Sequence, residues 1–446
     1  MCGIVGYVGK SDCVDLLLDS LRRLEYRGYD SAGMAVFDND AISIVKKRGR
    51  LNNLIKSLNE EYRPCGHCGI GHTRWATHGE PSDINSHPHN SGNVTIVHNG
   101  IIENYLQIKE HLKDRGYRFE TETDSETIAK LLDYNYKNNP IDAIVKTVKQ
   151  LDGSYALGIL FSDRPNEIYA IRKNSPLIVG KGKDGNFIAS DVPAIIKHTR
   201  EYMLLDQDEI AIVKDNSIKF VDFDGKNIEK EVLKANWDVE SAEKNGFSHF
   251  MLKEINEQPE AIRRCISPRI KQGKLDLGFN NLSDKKLASF EKIHIVACGT
   301  AMHAGMVGKY VIEKFARISV DVDIASEFRY KNPILSTKDL VIIISQSGET
   351  ADSLAALRLA KELGVFTLAI VNVVGSSIAR EADSVFYTWA GPEISVASTK
   401  AYTVQLASLY MLAIKLGEIS KTLSNDDVCK LCNEIQEIPD KIKYIL

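Results

Sequence analysis

Two rhythms of apolar and polar residues divide the chain. Up to about residue 235, short apolar stretches alternate with polar ones across brief turns. Residues 32–37 and 42–46 read as strands around an Asp38-Asn39-Asp40 turn, and 93–97, 155–161, 167–171, 187–190 and 209–213 continue the pattern. Helices interrupt it. Residues 12–26 place Val14, Leu17, Leu18, Leu21 and Leu24 at helical spacing, and 104–115 form a helix stopped by Gly116. Thr123-Asp124-Ser125-Glu126, followed by Ile128, Leu131 and Leu132, reads as a helix start. Strands joined by short turns predict an α+β region with an antiparallel bias.

Residues 234–256 are polar and carry little periodicity, so they are expected to connect two regions. Beyond them the rhythm changes. Residues 292–297, 320–325, 340–344, 367–371 and 385–389 are continuously apolar and rich in β-branched side chains. Helical stretches separate them, such as 350–363 closed by Gly364, and this alternation predicts a doubly wound parallel sheet with helices on both faces. A last amphipathic helix is expected over 401–417, followed by a polar tail over 420–446.

Composition narrows the function classes. A chain of 446 residues exceeds one core and implies two or three domains. Its net charge of −4 shows no basic excess, so neither nucleic acid nor a membrane surface is an expected partner. No apolar run reaches membrane-spanning length, and the N-terminus lacks the pattern of a secretory signal. Eight cysteines spread over this length are no disulfide framework, so a reducing cytoplasm is expected.

Candidate chemistry begins at Cys2. Its small side chain permits removal of Met1, which would leave a thiol and a free α-amine on one residue. That amine titrates near pH ~7.7–8.0 and can act as the base for its own nucleophile. The plain alternative is a small residue opening a buried strand. Gly71-His72-Thr73-Arg74-Trp75-Ala76-Thr77-His78-Gly79 is the densest cluster of functional residue types and reads as a loop entered from a short strand. There the planar fork of Arg74 suits a carboxylate, and Thr77 and His78 add polar contacts. His98-Asn99-Gly100 is open to two readings: an ordinary β-turn, or an oxyanion hole formed by the Asn99 amide and the Gly100 N–H.

Six histidines fall between residues 67 and 98, but their spacing does not suit a metal, and His87-Pro88-His89 points its rings apart if extended. No metal or cofactor is expected. Cys65-Gly66-His67-Cys68 has redox-motif spacing but precedes a strand rather than a helix, which argues against a poised thiol. Ser345-Gln346-Ser347-Gly348-Glu349-Thr350 lies between a buried strand and a helix start, where hydroxyls and N–H groups converge as a phosphate cradle or as simple capping. Cys298-Gly299-Thr300-Ala301 repeats the arrangement after the preceding strand.

Taken together, Cys2-Gly3-Ile4-Val5-Gly6, RRLEYRGYDSAG (22–33), HTRWATHGE (72–80), HNGIIE (98–103), SQSGET (345–350) and VASTK (396–400) resemble the glucosamine-6-phosphate synthase family, the glutamine:fructose-6-phosphate amidotransferases. The resemblance covers essentially the whole chain. It implies a glutaminase domain of the N-terminal-nucleophile type with stacked, mainly antiparallel sheets over 1–235 and a linker over 236–285. A sugar-isomerase (SIS) domain over 286–427 and the start of a further connection over 428–446 would follow. Cys2 would attack the glutamine amide, with Asn99 and Gly100 holding the oxyanion. Arg74 would take the α-carboxylate and Asp124 the α-ammonium, with Thr77 and His78 nearby, His87 at a family-matched position and Trp75 gating ammonia. Thr300, Ala301 through its backbone, Ser345, Gln346, Ser347 and Thr350 would hold fructose 6-phosphate. Ammonia would pass internally to yield glucosamine 6-phosphate, and two copies would pair through the SIS part.

Relatives of this kind continue into a second SIS domain that brings the remaining sugar-site residues, and this chain stops at Leu446. The resemblance therefore implies that glutamine hydrolysis survives while isomerisation fails, and Lys400 is not a substitute Schiff-base lysine. From another class, the rival is a phosphosugar-binding regulatory module with a vestigial glutaminase region.

Overall fold

The computed structural model describes residues 2–39, 41–76, 78–235, 245–271 and 273–446. Contacts divide the chain into two compact units, Met1–Val239 and Glu240–Leu446.

In the first unit the described strands are β1 (Gly3–Gly9), β2 (Ser31–Asp38), β3 (Ala41–Arg48), β4 (Cys68–Arg74), β5 (His89–Ser91), β6 (Val94–Ile102), β7 (Gly153–Phe161) and β8 (Ile168–Lys173). They continue as β9 (Ile178–Lys181), β10 (Gly185–Ala189), β11 (Glu201–Leu204), β12 (Glu209–Val213), β13 (Ile218–Asp222), β14 (Asn227–Ile228) and β15 (Leu233–Lys234). The helices are α1 (Cys13–Arg22), α2 (Leu51–Glu60), α3 (Tyr105–Lys113), α4 (Asp124–Asn135) and α5 (Pro140–Val148). One sheet has the order β15-β11-β9-β10-β1-β4-β2-β3, the other β14-β13-β12-β8-β7-β6-β5. Neighbouring strands in both are antiparallel.

Alternation along the strands builds the layers. Ile4 and Val8 of β1 face Val97 of β6 and Ala156 and Leu160 of β7, so the sheets stack through a dry interior. Val5 and Tyr7 point the other way, against Val14, Leu17 and Leu21 of α1. The far face of the second sheet, with Ile96 and Ile159, is covered by Ile128, Leu131 and Ile144 of α4 and α5. β1 is therefore central within its sheet and buried on both faces, and Cys2 stands at its mouth.

The second unit holds α6 (Phe250–Asn256), α7 (Gln258–Ile266), the hairpin β16 (Ile270–Lys271) and β17 (Lys274–Leu275), and α8 (Asp284–Leu287). Then come β18 (Lys292–Ala297), α9 (Gly299–Ala316), β19 (Ser319–Ile324), α10 (Ala325–Tyr330), β20 (Asp339–Ser345), α11 (Ala351–Glu362), β21 (Phe366–Val371), α12 (Ser377–Glu381), β22 (Ser384–Tyr387), α13 (Lys400–Ile419) and α14 (Asn425–Ile445). The order β19-β18-β20-β21-β22 is parallel throughout. Ile293, Ile295, Ile342 and Ile344 face α7, α9 and α13, while Val296, Val341 and Ile343 face α10 and α11. Helices on both faces explain why these strands read as unbroken apolar runs.

Several expectations need correcting. Residues 420–446 are not a polar tail: α14 starts at a Ser424–Asp427 capping box and buries Val428, Cys432 and Ile435. The polar stretch 234–256 contains α6, whose Lys253 and Glu254 are buried; residues 236–244 lie outside the described residues. Within 258–282, read as linker, Ala261, Ile262, Cys265, Ile266, Ile270, Leu275 and Leu282 join the core of the second unit. Gly71–Arg74 belongs to β4, so the loop begins only at Trp75. Gly299–Ala301 already forms the first turn of α9 rather than a loop. Among the described residues, no helix is long and apolar enough to cross a membrane.

Candidate active site

β6 organises the site in the first unit. His98-Asn99-Gly100 does not turn: pairing with Leu157, Ala156 and Tyr155 of β7 carries the strand on to Ile102. On its other edge β5 covers only Val94–Ile96, leaving the later residues open. There the His98 N–H donates to His87 Nδ1 at 3.2 Å, and the Ile102 N–H donates to Asp124 Oδ2 at 2.9 Å. Antiparallel strands send alternate N–H groups to the same edge, so the Gly100 N–H also points to this open side. Gly100 has φ +136°, and a Cβ there would run into the Ser154 carbonyl, so only glycine suits the position.

Cys2 reaches the site from the end of β1. Its Sγ accepts the Trp75 N–H at 3.2 Å, and its carbonyl accepts Asn99 Nδ2 at 3.0 Å. Burial pushes the thiol's pKa up, opposed by the Trp75 N–H and by the charges of Arg74 and Arg27. Arg27 is itself held by Asp191 at 2.6 Å.

Arg74, at the end of β4, is buried and donates to the carbonyls of His78, Gly79 (3.1 Å) and Glu80 (3.5 Å), which curls the loop around its guanidinium. Asp124 opens α4, where the Thr123 hydroxyl caps the Glu126 N–H. Cys2, Arg74, Trp75, His78, His87, Gly100 and Asp124 line one open cleft, with Asn99 at its edge through the Cys2 carbonyl. Thr77 lies outside the described residues. His98, Thr123 and Ser125 line the cleft too. None of the three stands out as a site residue in the sequence, although the alternation along β6 and the capping position of Thr123 point to them.

The buried histidines meet ring against ring. His72 stacks on His87 at 4.1 Å between centroids, and His89 meets His87 edge-on at 4.7 Å, so the rings flanking Pro88 do not point apart. Desolvation lowers the pKa of all four of His72, His87, His89 and His98, that of His72 to about 3. By contrast, Cys65 is exposed beside Asp12 and Cys68 is buried in β4. Both thiol pKa values are raised, the opposite of what redox chemistry requires.

In the second unit, chain direction across the sheet reverses between β18 and β20, the switch point where open α/β sheets bind ligands. Cys298–Ala301 follows β18 and Ser345–Thr350 follows β20, so both stretches lie at that point. Ser345 Oγ accepts the Gly348 N–H at 3.0 Å and shares a 3.0 Å hydrogen bond with Thr350 Oγ1. Glu349 turns away and accepts the Ser377 N–H at 2.7 Å and its hydroxyl at 2.8 Å, anchoring the turn. Gln346 and Ser347 are half-buried, Ala301 is buried and Thr300 is exposed. The first turns of α9 and α11 leave N–H groups facing the same edge, which favours an anion. Lys400 is buried on Glu257 at 2.5 Å and so is committed to an ion pair.

The Glutamine amidotransferase domain family matches residues 72–197, and the SIS domain family matches 286–415. The chain is 55% identical to the glutamine–fructose-6-phosphate aminotransferase (isomerizing) of Caldanaerobacter subterraneus subsp. tengcongensis, over 100% of this chain and 74% of that one. It is 52% identical to the protein of the same name from Clostridium acetobutylicum, with the same coverage. Among solved structures, the C-terminal domain of glucosamine-fructose-6-phosphate aminotransferase from Francisella tularensis is 42% identical over 44% of this chain and 56% of that chain, with a TM-score of 0.43.

Proposed function

Because the chain belongs to the glutamine–fructose-6-phosphate aminotransferase (isomerizing) family, we propose that it hydrolyses glutamine at Cys2 and, in its second unit, binds the fructose 6-phosphate that the family's reaction converts with the released ammonia to glucosamine 6-phosphate. The observation that carries the first half is the cleft that joins Cys2 to Arg74, Asp124 and the open edge of β6. With Met1 removed, the α-amine takes the thiol proton as sulfur attacks the side-chain carbonyl carbon of glutamine. The carbonyl oxygen becomes an oxyanion beside Asn99 Nδ2 and the Gly100 N–H. Its collapse breaks the C–N bond, the ammonium returns its proton to the leaving group, and ammonia departs. Water then cleaves the thioester to glutamate. Arg74 holds the α-carboxylate and Asp124 the α-ammonium; His78 and His87 complete the wall, and Trp75 gates the exit.

Burial argues for this use of the amine. A thiol pushed up in pKa is not ionised at rest, so a base beside it is needed. In the second unit, Thr300, the Ala301 N–H, Ser345, Gln346, Ser347 and Thr350 hold the phosphate and sugar, supported by the switch-point placement. A cytoplasmic setting and pairing of two copies through the second unit belong to the same reading, and sedimentation of the full chain tests the pairing.

The deciding experiment incubates the Met1-processed chain with glutamine and follows glutamate release, alongside labelling by a glutamine-like electrophile. Release that Cys2→Ala abolishes, with label on Cys2, supports the reading. Absence of both in the processed wild type leaves the regulatory phosphosugar-binding module instead.

A further inference from the structure

We propose that His72 is a positioning residue for glutamine hydrolysis: its Nε2–H, held on Asn99 Oδ1, keeps the Asn99 amide turned with Nδ2 toward Cys2. This rests on the glutaminase reading of the site. An asparagine amide is nearly symmetric in shape, so packing alone does not tell its oxygen from its nitrogen. Only the donor orientation serves an oxyanion; the flipped one would set a lone pair against developing negative charge.

The ring's own contacts assign its proton. His72 Nε2 lies 3.0 Å from the His98 carbonyl oxygen and 3.0 Å from Asn99 Oδ1. The carbonyl is an acceptor only, so Nε2 carries the hydrogen. The other ring nitrogen, Nδ1, is buried with no partner among the described residues. Burial keeps the ring neutral, so it holds a single N–H, and its two acceptors fix that hydrogen on Nε2. Asn99 then has one oriented donor on its oxygen and the Cys2 carbonyl, at 3.0 Å, on its nitrogen. One Nδ2 hydrogen serves that carbonyl and the second remains for the oxyanion. Ring position is fixed in turn by the His87 stack, and His87 is held through the His98 N–H. β4, β6 and the 78–88 loop thus meet at one amide. His72 Nε2 reaches Asn99 Oδ1 and the His98 carbonyl, so its effect on the oxyanion passes through Asn99.

Two substitutions separate the donor from the ring. His72→Phe keeps an aromatic to stack on His87 but removes the N–H. His72→Gln gives up the ring but can place an amide N–H near Asn99 Oδ1. The expected result is a kcat for glutamine hydrolysis at least tenfold lower in His72→Phe, up to the ~10²–10³-fold of losing an oxyanion donor outright. KM should stay within about threefold, because Arg74 and Asp124 are untouched, and His72→Gln should recover most of kcat. Alkylation of Cys2 by iodoacetamide, a displacement that forms no oxyanion, should keep its rate in His72→Phe. Should His72→Phe fold poorly, a double-mutant cycle with Asn99→Ala decides: His72→Gln and His72→Leu should differ in kcat with Asn99 present and agree within twofold without it. A His72→Phe variant with wild-type kcat, or a loss of kcat shared equally by His72→Gln, overturns the inference. A processed wild type with no glutaminase activity would instead overturn the reading beneath it.

Discussion

Acidification should unlock the first unit before its carboxylates begin to titrate. His72, His87 and His89 are fully buried, and desolvation holds each of them neutral, His72 down to about pH 3. Neighbouring positive charge acts in the same direction, from Arg74 on all three and from Lys46 on His89. An unfolded histidine titrates near pH 6.5, so at any pH between the two values the unfolded chain binds more protons. Stability from these groups is therefore complete above pH ~6.5 and drains as pH falls. For an imidazole that stays neutral when folded, the loss between pH 7 and pH 5 is about 2 kcal/mol, hence about 6 kcal/mol for three. His98 is left out of the sum because Asp124 opposes the lowering. A loss of this size rivals the whole stability of a typical domain, about 5–15 kcal/mol.

The assay is hydrogen exchange of peptides within residues 68–102 under increasing urea at pH 7, 6 and 5, corrected for the intrinsic rate. This restricts the readout to the first unit and leaves out His294 of the second, which is also held below its usual value by burial. His89→Gln removes one titrating ring while keeping a group able to reach Thr123 Oγ1, which His89 Nε2 meets at 3.3 Å. It should shrink the pH 7 to 5 loss by about 2 kcal/mol. An opening free energy that changes by less than about 1 kcal/mol over this range would mean that the rings are not held neutral, since even one neutral buried imidazole exceeds that.

Three further outcomes follow from local geometry. Gly100→Ala forces a side chain onto φ +136° against the Ser154 carbonyl; it should cost about 1–3 kcal/mol in thermal unfolding and lower glutaminase kcat more than tenfold. Gly348→Ala, at φ +65° with its Cβ directed into the Ser376 hydroxyl, should weaken fructose 6-phosphate binding at least tenfold by calorimetry, because the turn carrying Ser347 must shift. Glu254 is 1% exposed and accepts the N–H groups of Ile394 (2.5 Å) and Ser395 (3.2 Å). Glu254→Ala should therefore destabilise the second unit by about 3 kcal/mol in a urea melt, by stranding those donors.

What could be read from the residues alone depended on how far each signal reached along the chain. The run Ile342-Ile343-Ile344 has one comfortable home, a strand covered on both faces, and the second unit's sheet follows from five such runs. Thr123 and Gly116 mark helix ends through their immediate neighbours. The misread elements are those decided by distant partners. Asn99-Gly100 suits a turn locally, but β7, more than fifty residues on, supplies a ladder that keeps the strand extended. Glu254 looks like any solvated acid in a polar stretch, and only residues 394–395, about 140 positions along the chain, make it a buried acceptor. In α14 the apolar positions Val428, Cys432 and Ile435 do keep helical spacing, but they are sparse among charges and hence easily taken for a tail.

The same division runs through the candidate site. Residues that would touch glutamine carry their chemistry in their type: a thiol at position 2, an arginine after a glycine-bounded strand, an amide beside a glycine. The residues that hold them carry none. His72, His87 and His98 look from sequence like a loose collection of rings with poor metal spacing. In the fold they exchange hydrogen bonds and stacking that orient Asn99 and pin the edge of β6. Burial is what makes that possible, since a charged imidazole could not sit among its neighbours. Burial is also what denies Cys2 an easy ionisation. A cysteine activated by a helix start or a nearby cation would ionise without help. Cys2 lies at the mouth of a strand with its thiol pushed upward by burial despite Arg74 and Arg27, which favours a proton acceptor on its own α-carbon. That pairing ties the chemistry to the first peptide bond of the chain. Retaining Met1 should therefore silence glutamine hydrolysis while leaving the histidine stack and the open edge of β6 unchanged.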